Sequence, residues 1–347
     1  MIMGSQTDIS FKSMRRFFFL LLFASVILFG SCHRNKQVFI PGPVAKVPSQ
    51  PVQIMRYDSA LFSINSQNLK ESLVPLAGRY YFFLGSDWSD TINLMNLSQF
   101  VNDPNIRKLY EIAMQKYGNL SALKKDLSGA IARYRSYYPE KPCPLVYTYI
   151  SGLNVEMPVL FTDSAMAIGL DLFLGNDQVI YREAGIPEYK IARMMPEYIL
   201  PECMKAIAGN VLRTDPGDQT LLNQMITAGK ICYFLDAMFP EMADNLKIGY
   251  TPGQLEWCKT NEENIWKFLI GNQLLFNSDP AAASKLLADG PFTSGFAQES
   301  PGRLGVWMGW QIVRAYAANN KKLSLKQIME ATGSQAILEA SEYKPGR

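Results

Sequence analysis

Histidine is almost missing from this sequence. Its 347 residues hold one, His33, which lies near the N-terminus in a stretch poor in helix formers. A Ser-His-Asp triad, a Cys-His pair and a zinc site built on two histidines all need an imidazole in the body of the fold, so those chemistries are excluded. Phosphate-cradling turns are missing too: neither GxxxxGKS/T nor GxGxxG occurs, so no nucleotide and no cofactor is expected. An excess of either charge is also lacking. Setting aside residues 1–31, with Lys12, Arg15, Arg16 and Asp8, leaves 31 basic and 30 acidic residues, a balance that gives no electrostatic case for nucleic acid. Cys143, Cys203, Cys232 and Cys258 are widely spaced and form no CxxC pair, so spacing assigns neither a metal site nor a disulfide. No apolar run reaches the roughly 20 residues that a membrane-spanning helix needs.

What is present begins with a leader. Lys12, Arg15 and Arg16 precede the apolar run Phe17 to Phe29, which ends at Gly30-Ser31-Cys32. A basic start, a short apolar run and small residues before a cut describe a secretory signal over residues 1–31. A cysteine directly after Gly-Ser makes it resemble a bacterial lipoprotein signal, with lipid attached to Cys32 as the new N-terminus. Residues 32–53 carry Pro41, Pro43, Pro48 and Pro51 and read as an extended tether between the membrane and the body. The residues after Cys32 are basic, without the acidic run that resembles a surface-export signal, so a periplasm-facing position is expected.

With 48% hydrophobic composition the remainder can bury a sizeable core, and no repeat or second linker divides residues 54–347, which are expected to form one globular domain. Helices dominate. Asp103-Pro104 caps a helix through Tyr117, and Ser121 to Tyr138 forms another. Thr251-Pro252-Gly253-Gln254 and Ser324-Leu325-Lys326-Gln327 each place Gln three residues after a capping hydroxyl. Further helices are expected over 201–212, 219–238, 251–276, 279–288, 301–318 and 324–341, the last broken near Gly333. Between Pro144 and Leu174 the runs 145–150, 158–161 and 165–170 are short and strand-like, separated by turn residues, and predict a small, mostly antiparallel sheet. The fold class is therefore α+β and predominantly helical.

The densest stretch is Pro291 to Tyr316. Ser300 suits an N-cap and Pro301 a first helical position, which predicts a helix from Pro301. On it Gly305 and Gly309 share one face, while Arg303, Trp307, Trp310 and Arg314 gather towards another. Interior glycines cost about 1 kcal/mol each against alanine, so two imply close packing or function. Among carboxylates, Asp163, Asp171, Asp177, Glu197 and Glu202 fall near the sheet and the helix after it, and two of them flanking a glycosidic bond would be a hydrolytic arrangement.

The sequence resembles the gliding-motility lipoprotein GldB family of Bacteroidetes. The match is carried by the signal ending in Cys32, by 54–58 (Ile-Met-Arg-Tyr-Asp), by 163–175, by Gly229-Lys230, by 249–252 (Gly-Tyr-Thr-Pro), and by 291–294 and 300–313. The resemblance implies a lipid-anchored accessory protein of gliding motility and type IX secretion in the cell envelope, with no established enzymatic activity. The family also resembles, distantly, zinc peptidases with an HExxH helix. Here the corresponding slot is Pro201-Glu202-Cys203-Met204-Lys205, in which proline and lysine stand at both histidine positions, so a zincin-like fold would have lost its metal site.

The expected function is accordingly a non-catalytic envelope protein, held to the membrane through lipid on Cys32 and engaging proteins of the gliding and secretion machinery. Arg303, Trp307, Trp310, Asp163, Asp171 and Glu202 are the candidate binding residues, with no catalytic or metal-ligating residue assigned. Two alternatives are an envelope hydrolase using Glu202 with a second carboxylate, and a glycan-binding lipoprotein that presents exposed aromatics.

Overall fold

The structure is a computed structural model and describes residues 38–85 and 90–345. The expected signal segment 1–31 and the expected lipidation residue Cys32 lie outside the described residues. Strand β1 (Ile54–Arg56) leads into helices α1 (Tyr57–Phe62), α2 (Leu69–Ala77), α3 (Tyr81–Leu84), α4 (Thr91–Asn102), α5 (Pro104–Tyr117) and α6 (Ser121–Tyr137). Strands β2 (Leu145–Tyr149), β3 (Val159–Phe161) and β4 (Ala165–Gly169) follow. The chain then returns to helices: α7 (Val179–Glu183), α8 (Glu188–Ile191), α9 (Ile199–Val211), α10 (Leu221–Met238), α11 (Asp244–Ile248), α12 (Pro252–Gly271), α13 (Pro280–Leu287), α14 (Leu304–Asn319), α15 (Leu325–Glu330) and α16 (Ser334–Ser341). The predicted α+β class holds. No described helix is long and apolar enough to cross a membrane.

Helix starts follow capping chemistry. Asp103 accepts from the N–H groups of Asn105 and Ile106 at the head of α5, and both predicted capping boxes form, Thr251 with Gln254 and Ser324 with Gln327. The predicted break near Gly333 is real, with Gly333 in the left-handed region at φ 84°.

The sheet departs from expectation. Its order is β1-β2-β4-β3, with β1 and β4 parallel to β2 and only β3 antiparallel to β4, so the expected mostly antiparallel sheet is instead mixed and mainly parallel. A buried carboxylate explains the crossing. Asp171 accepts from the Ser151 N–H (2.7 Å), the Ser151 hydroxyl (2.9 Å) and the Leu153 N–H (2.8 Å), clamping the turn after β2, where Gly152 and Leu153 are both left-handed. That turn carries the chain past the position next to β2, which β4 then takes.

Residues 39–53 correct the tether expectation. They are extended, but they lie against the body. The Tyr233 and Tyr137 hydroxyls donate to the carbonyls of Phe39 and Pro41, the N–H groups of Val44 and Ala45 to the Ser136 carbonyl, and Val52 N–H to the Ser128 hydroxyl. Proline removes donors from such a segment but leaves its carbonyls free to accept.

At the centre, α10 crosses α14 with backbone against backbone. A Cβ on Gly229 would strike the Gly309 carbonyl, and one on Gly309 would strike the Met225 carbonyl; at Gly305 it would sit 2.9 Å from Leu287 and 3.0 Å from the Leu286 carbonyl. The crossing is framed by a buried charge cluster. Asp236 accepts from Trp310 Nε1 (2.8 Å), two Arg314 nitrogens (2.8 and 2.7 Å) and Lys247 (2.8 Å), while Asp244 takes the other side of Arg314. Those acids hold the Arg314 guanidinium even more firmly charged than usual against the cost of its burial. The remaining bond potential at α10 goes to α15: Lys230 donates to the carbonyls of Met329 and Ala331 at that helix's C-terminal end.

Three stability outcomes are expected, two of them from this centre. Gly309→Ala should destabilise by about 3 kcal/mol or abolish folding, because backbone cannot yield to the added carbon. Gly129→Ala, on α6 where nothing lies within 4 Å of the added carbon, should stabilise by up to about 1 kcal/mol in the same denaturant titration. Burial pushes Lys230 down from 10.5 to about 8. Between those values the unfolded chain holds a proton that the folded chain has released, so stability should rise with pH from about 8 towards 10. Thermal melts of Lys230→Met should lack that rise.

Candidate functional site

Four segments converge on a cleft of about 190 Å³: the run-in to β3 (Val155, Glu156, Pro158), the turn after β4 (Leu172, Phe173), the chain from α8 (Lys190, Arg193, Met194), and Glu202 on α9, with Asp289 closing one side. Leu172, Phe173 and Met194 are core residues, so the floor is apolar and fixed. The polar groups are paired around it. Lys190 meets Glu156, Arg193 meets Asp289, and Lys205 lies 2.8 Å from Glu202 one helical turn along α9. Pro201 begins that turn, where a missing N–H costs no hydrogen bond. Behind Asp289 stands Arg303, its Nε 3.3 Å from the carboxylate, its Nη2 donating to the Ile248 carbonyl (2.7 Å) and its guanidinium 5.7 Å from the centre of the Tyr250 ring.

The electrostatics fix the state of Glu202. Its partial burial would raise the carboxyl, but the Lys205 ammonium and the guanidinium groups of Arg193 and Arg303 outweigh that and leave it below the ordinary carboxylate range. The hydrogen bond that Lys190 donates to Glu156 holds its ammonium above its usual value, against a smaller effect of burial. At neutral pH Glu202 and Lys190 are therefore both held in their charged forms.

Arg303 reaches this place because its backbone is left-handed, at φ 61°. Helix α14 thus starts at Leu304 and not at the expected Pro301. The loop before it folds back on itself: Thr293 Oγ1 donates to the Pro301 carbonyl (2.7 Å) and accepts from Leu304 N–H (3.4 Å), while the buried Ser300 hydroxyl accepts from Thr293 N–H. Thr293, brought back through the loop, does the capping expected of Ser300.

Of the predicted binding residues, the structure brings Glu202 and Arg303 together and leaves the others apart. Trp307 and Trp310 are 2% and 0% exposed, so they are core residues and present no contact surface; Trp310 spends its N–H on Asp236. Asp163 is exposed at the turn between β3 and β4 and pairs with Lys141 (2.8 Å). Asp171 is buried in its turn-clamping role. Burial pushes its carboxyl up and the bonds from Ser151 and Leu153 oppose that shift. Asp177 and Glu197 are exposed. Lys190, Arg193, Asp289 and Glu156 were not foreseen, since they come from separated segments with no spacing in common. Among the described residues no three His, Cys, Asp or Glu side chains converge to hold a metal ion.

Because Glu202 titrates below its unfolded value, it stabilises the fold above that value, and the contribution is lost as pH falls through the folded one. Glu202→Gln should therefore show a shallower loss of melting temperature than wild type as pH drops below about 4.5, the ordinary glutamate value. An unchanged acid limb would show that the carboxylate is not held as described.

The sequence model of a family described as Gliding motility protein GldB matches residues 43–345. No curated protein and no solved structure matches the chain.

Proposed function

The chain belongs to the GldB family of gliding motility proteins, and on that premise we propose that it serves motility as a non-catalytic, lipid-anchored envelope protein that holds a protein partner at the Glu202–Arg193 cleft. The observation that carries the reading is the pairing of the cleft's ionisable groups. A general acid or base works best with a pKa near the operating pH. Glu202 is moved the other way, and Lys190 stays charged. Fixed charges over an apolar floor suit recognition, where electrostatic complementarity selects the partner and steers its approach. The absence of any imidazole beyond His33 supports the same reading.

Lipid on Cys32, following the basic and apolar leader, would bind the protein to a membrane, and the basic residues after it favour a periplasm-facing position. Partners would be envelope proteins of the gliding and type IX secretion machinery. Secretion belongs to this proposal because the family match itself speaks only of gliding motility.

Reversing the cleft charges tests it. In a host whose motility or secretion depends on this protein, Glu156→Lys combined with Asp289→Lys should abolish colony spreading or secretion while the purified variant keeps a cooperative melt. Cys32→Ser should move the protein from the membrane to the soluble fraction. A folded charge-reversed variant that restores full motility and secretion would remove the cleft from the function.

A further inference from the structure

Strand β3 is the margin of the sheet nearest the cleft. It comes last in the strand order and pairs only with β4. Its register joins the Gly169 N–H to the Pro158 carbonyl (3.0 Å) and the Thr162 N–H to the Ala165 carbonyl (2.8 Å). Bonded pairs alternate along an antiparallel ladder, so Leu160 turns its backbone to β4 while Val159 and Phe161 turn theirs outward. Among the described residues no hydrogen bond is made to those outward groups, and both residues are half-buried. Unpaired N–H and C=O groups on a strand margin are a template for another strand. Val-Leu-Phe carries no charge and no bulge to blunt it, and the only proline, Pro158, stands at its entry.

The margin and the cleft are continuous, because Val155, Glu156 and Pro158 line the cleft and lead directly into β3. The exposed member of each flanking ion pair is the acid: Glu156 is 74% exposed against 20% for Lys190, and Asp289 32% against 21% for Arg193. Glu202 adds a third carboxylate to the lining. A ligand arriving along the strand therefore meets carboxylate oxygens first.

We propose that β3 and the cleft together bind an extended, basic peptide segment of a partner protein by strand addition, its backbone pairing with Val159 and Phe161 and a Lys or Arg side chain reaching Glu156, Glu202 and Asp289. Main-chain bonds supply affinity in this mode and the adjoining cleft supplies specificity. The inference rests on the reading of the cleft as a protein-binding site and adds the class of ligand.

The test uses the full-length protein in detergent and three fluorescein-labelled hexapeptides: one alternating valine and lysine, one alternating valine and glutamate, and the first N-methylated at alternate residues. Anisotropy should show saturable binding of the valine-lysine peptide. The glutamate and methylated forms should bind weaker by about tenfold or more, through lost charge pairing and lost backbone bonds respectively. Deuterium exchange over residues 155–163 should slow only with the first peptide. Val159→Pro removes an outward N–H and leaves the ladder to β4 intact, so it should weaken binding by about tenfold. Glu156→Lys, a change at an exposed side chain, should act in the same direction if the proline variant does not fold.

Equal binding of the methylated peptide, or no protection at 155–163, would overturn strand addition. If those results came while the cleft charge reversal still abolished motility, the cleft reading would stand and only the mode of binding would fall. A charge-reversed protein that was fully active would overturn both.

Discussion

The contact on which this molecule depends is the crossing of α10 and α14 at Gly229 and Gly309, where two helix backbones meet with no side chain between them. A close crossing leaves little room for error in angle or depth. It brings Trp310 and Arg314 within bonding distance of Asp236, which lies about two turns beyond Gly229 on α10, and Arg314 extends the link to Asp244 on α11. Buried charges of this kind are tolerated when every member is paired, and removing one partner costs several kcal/mol because the other is left buried and alone. The glycines set the distance, and the acid and guanidinium groups reward only that distance. The two devices agree.

The same crossing positions the cleft. Arg303 precedes the first residue of α14, and Tyr250, after α11, donates to the carbonyls of Gly302 and Arg303. Asp289 stands between Arg303 and Arg193, so the helix pair is coupled to the cleft by a chain of ion pairs and not by a single contact. In the same region the Gly302 backbone lies against Gly290, too close for a side chain at that position. The cleft is thereby tied to the helices behind it at several points.

Much of the helical part was legible because capping is local. Asp103, Thr251 and Ser324 announce their helices within four residues, and Gly333 its break. The sheet was legible only as strands. Its pairing depends on Asp171 reaching back to Ser151 and Leu153, and on β1, a three-residue strand whose partner lies far along the chain; neither leaves a periodic trace. Trp307, Trp310 and Arg314 misled for a related reason. An aromatic and basic helix face reads the same whether it meets solvent or a buried aspartate, and Asp236 sits on another helix. Glu202 stood out through the altered HExxH slot, whereas its neighbours Arg193 and Asp289 had no motif to carry them. The left-handed backbone of Arg303 was hidden by Pro301, which suits a helix start but here closes a loop.

The docked segment between Phe39 and Gln53 has a mechanical consequence. Its attachments to the body are arranged in series along one strand of chain: Tyr233 at Phe39, Tyr137 at Pro41, Ser136 at Val44 and Ala45, Ser128 at Val52, and only then the ladder of β1 with β2. Tension applied from the N-terminal side loads these attachments one after another. The pull would therefore reach the sheet only after it had passed through each of these attachments.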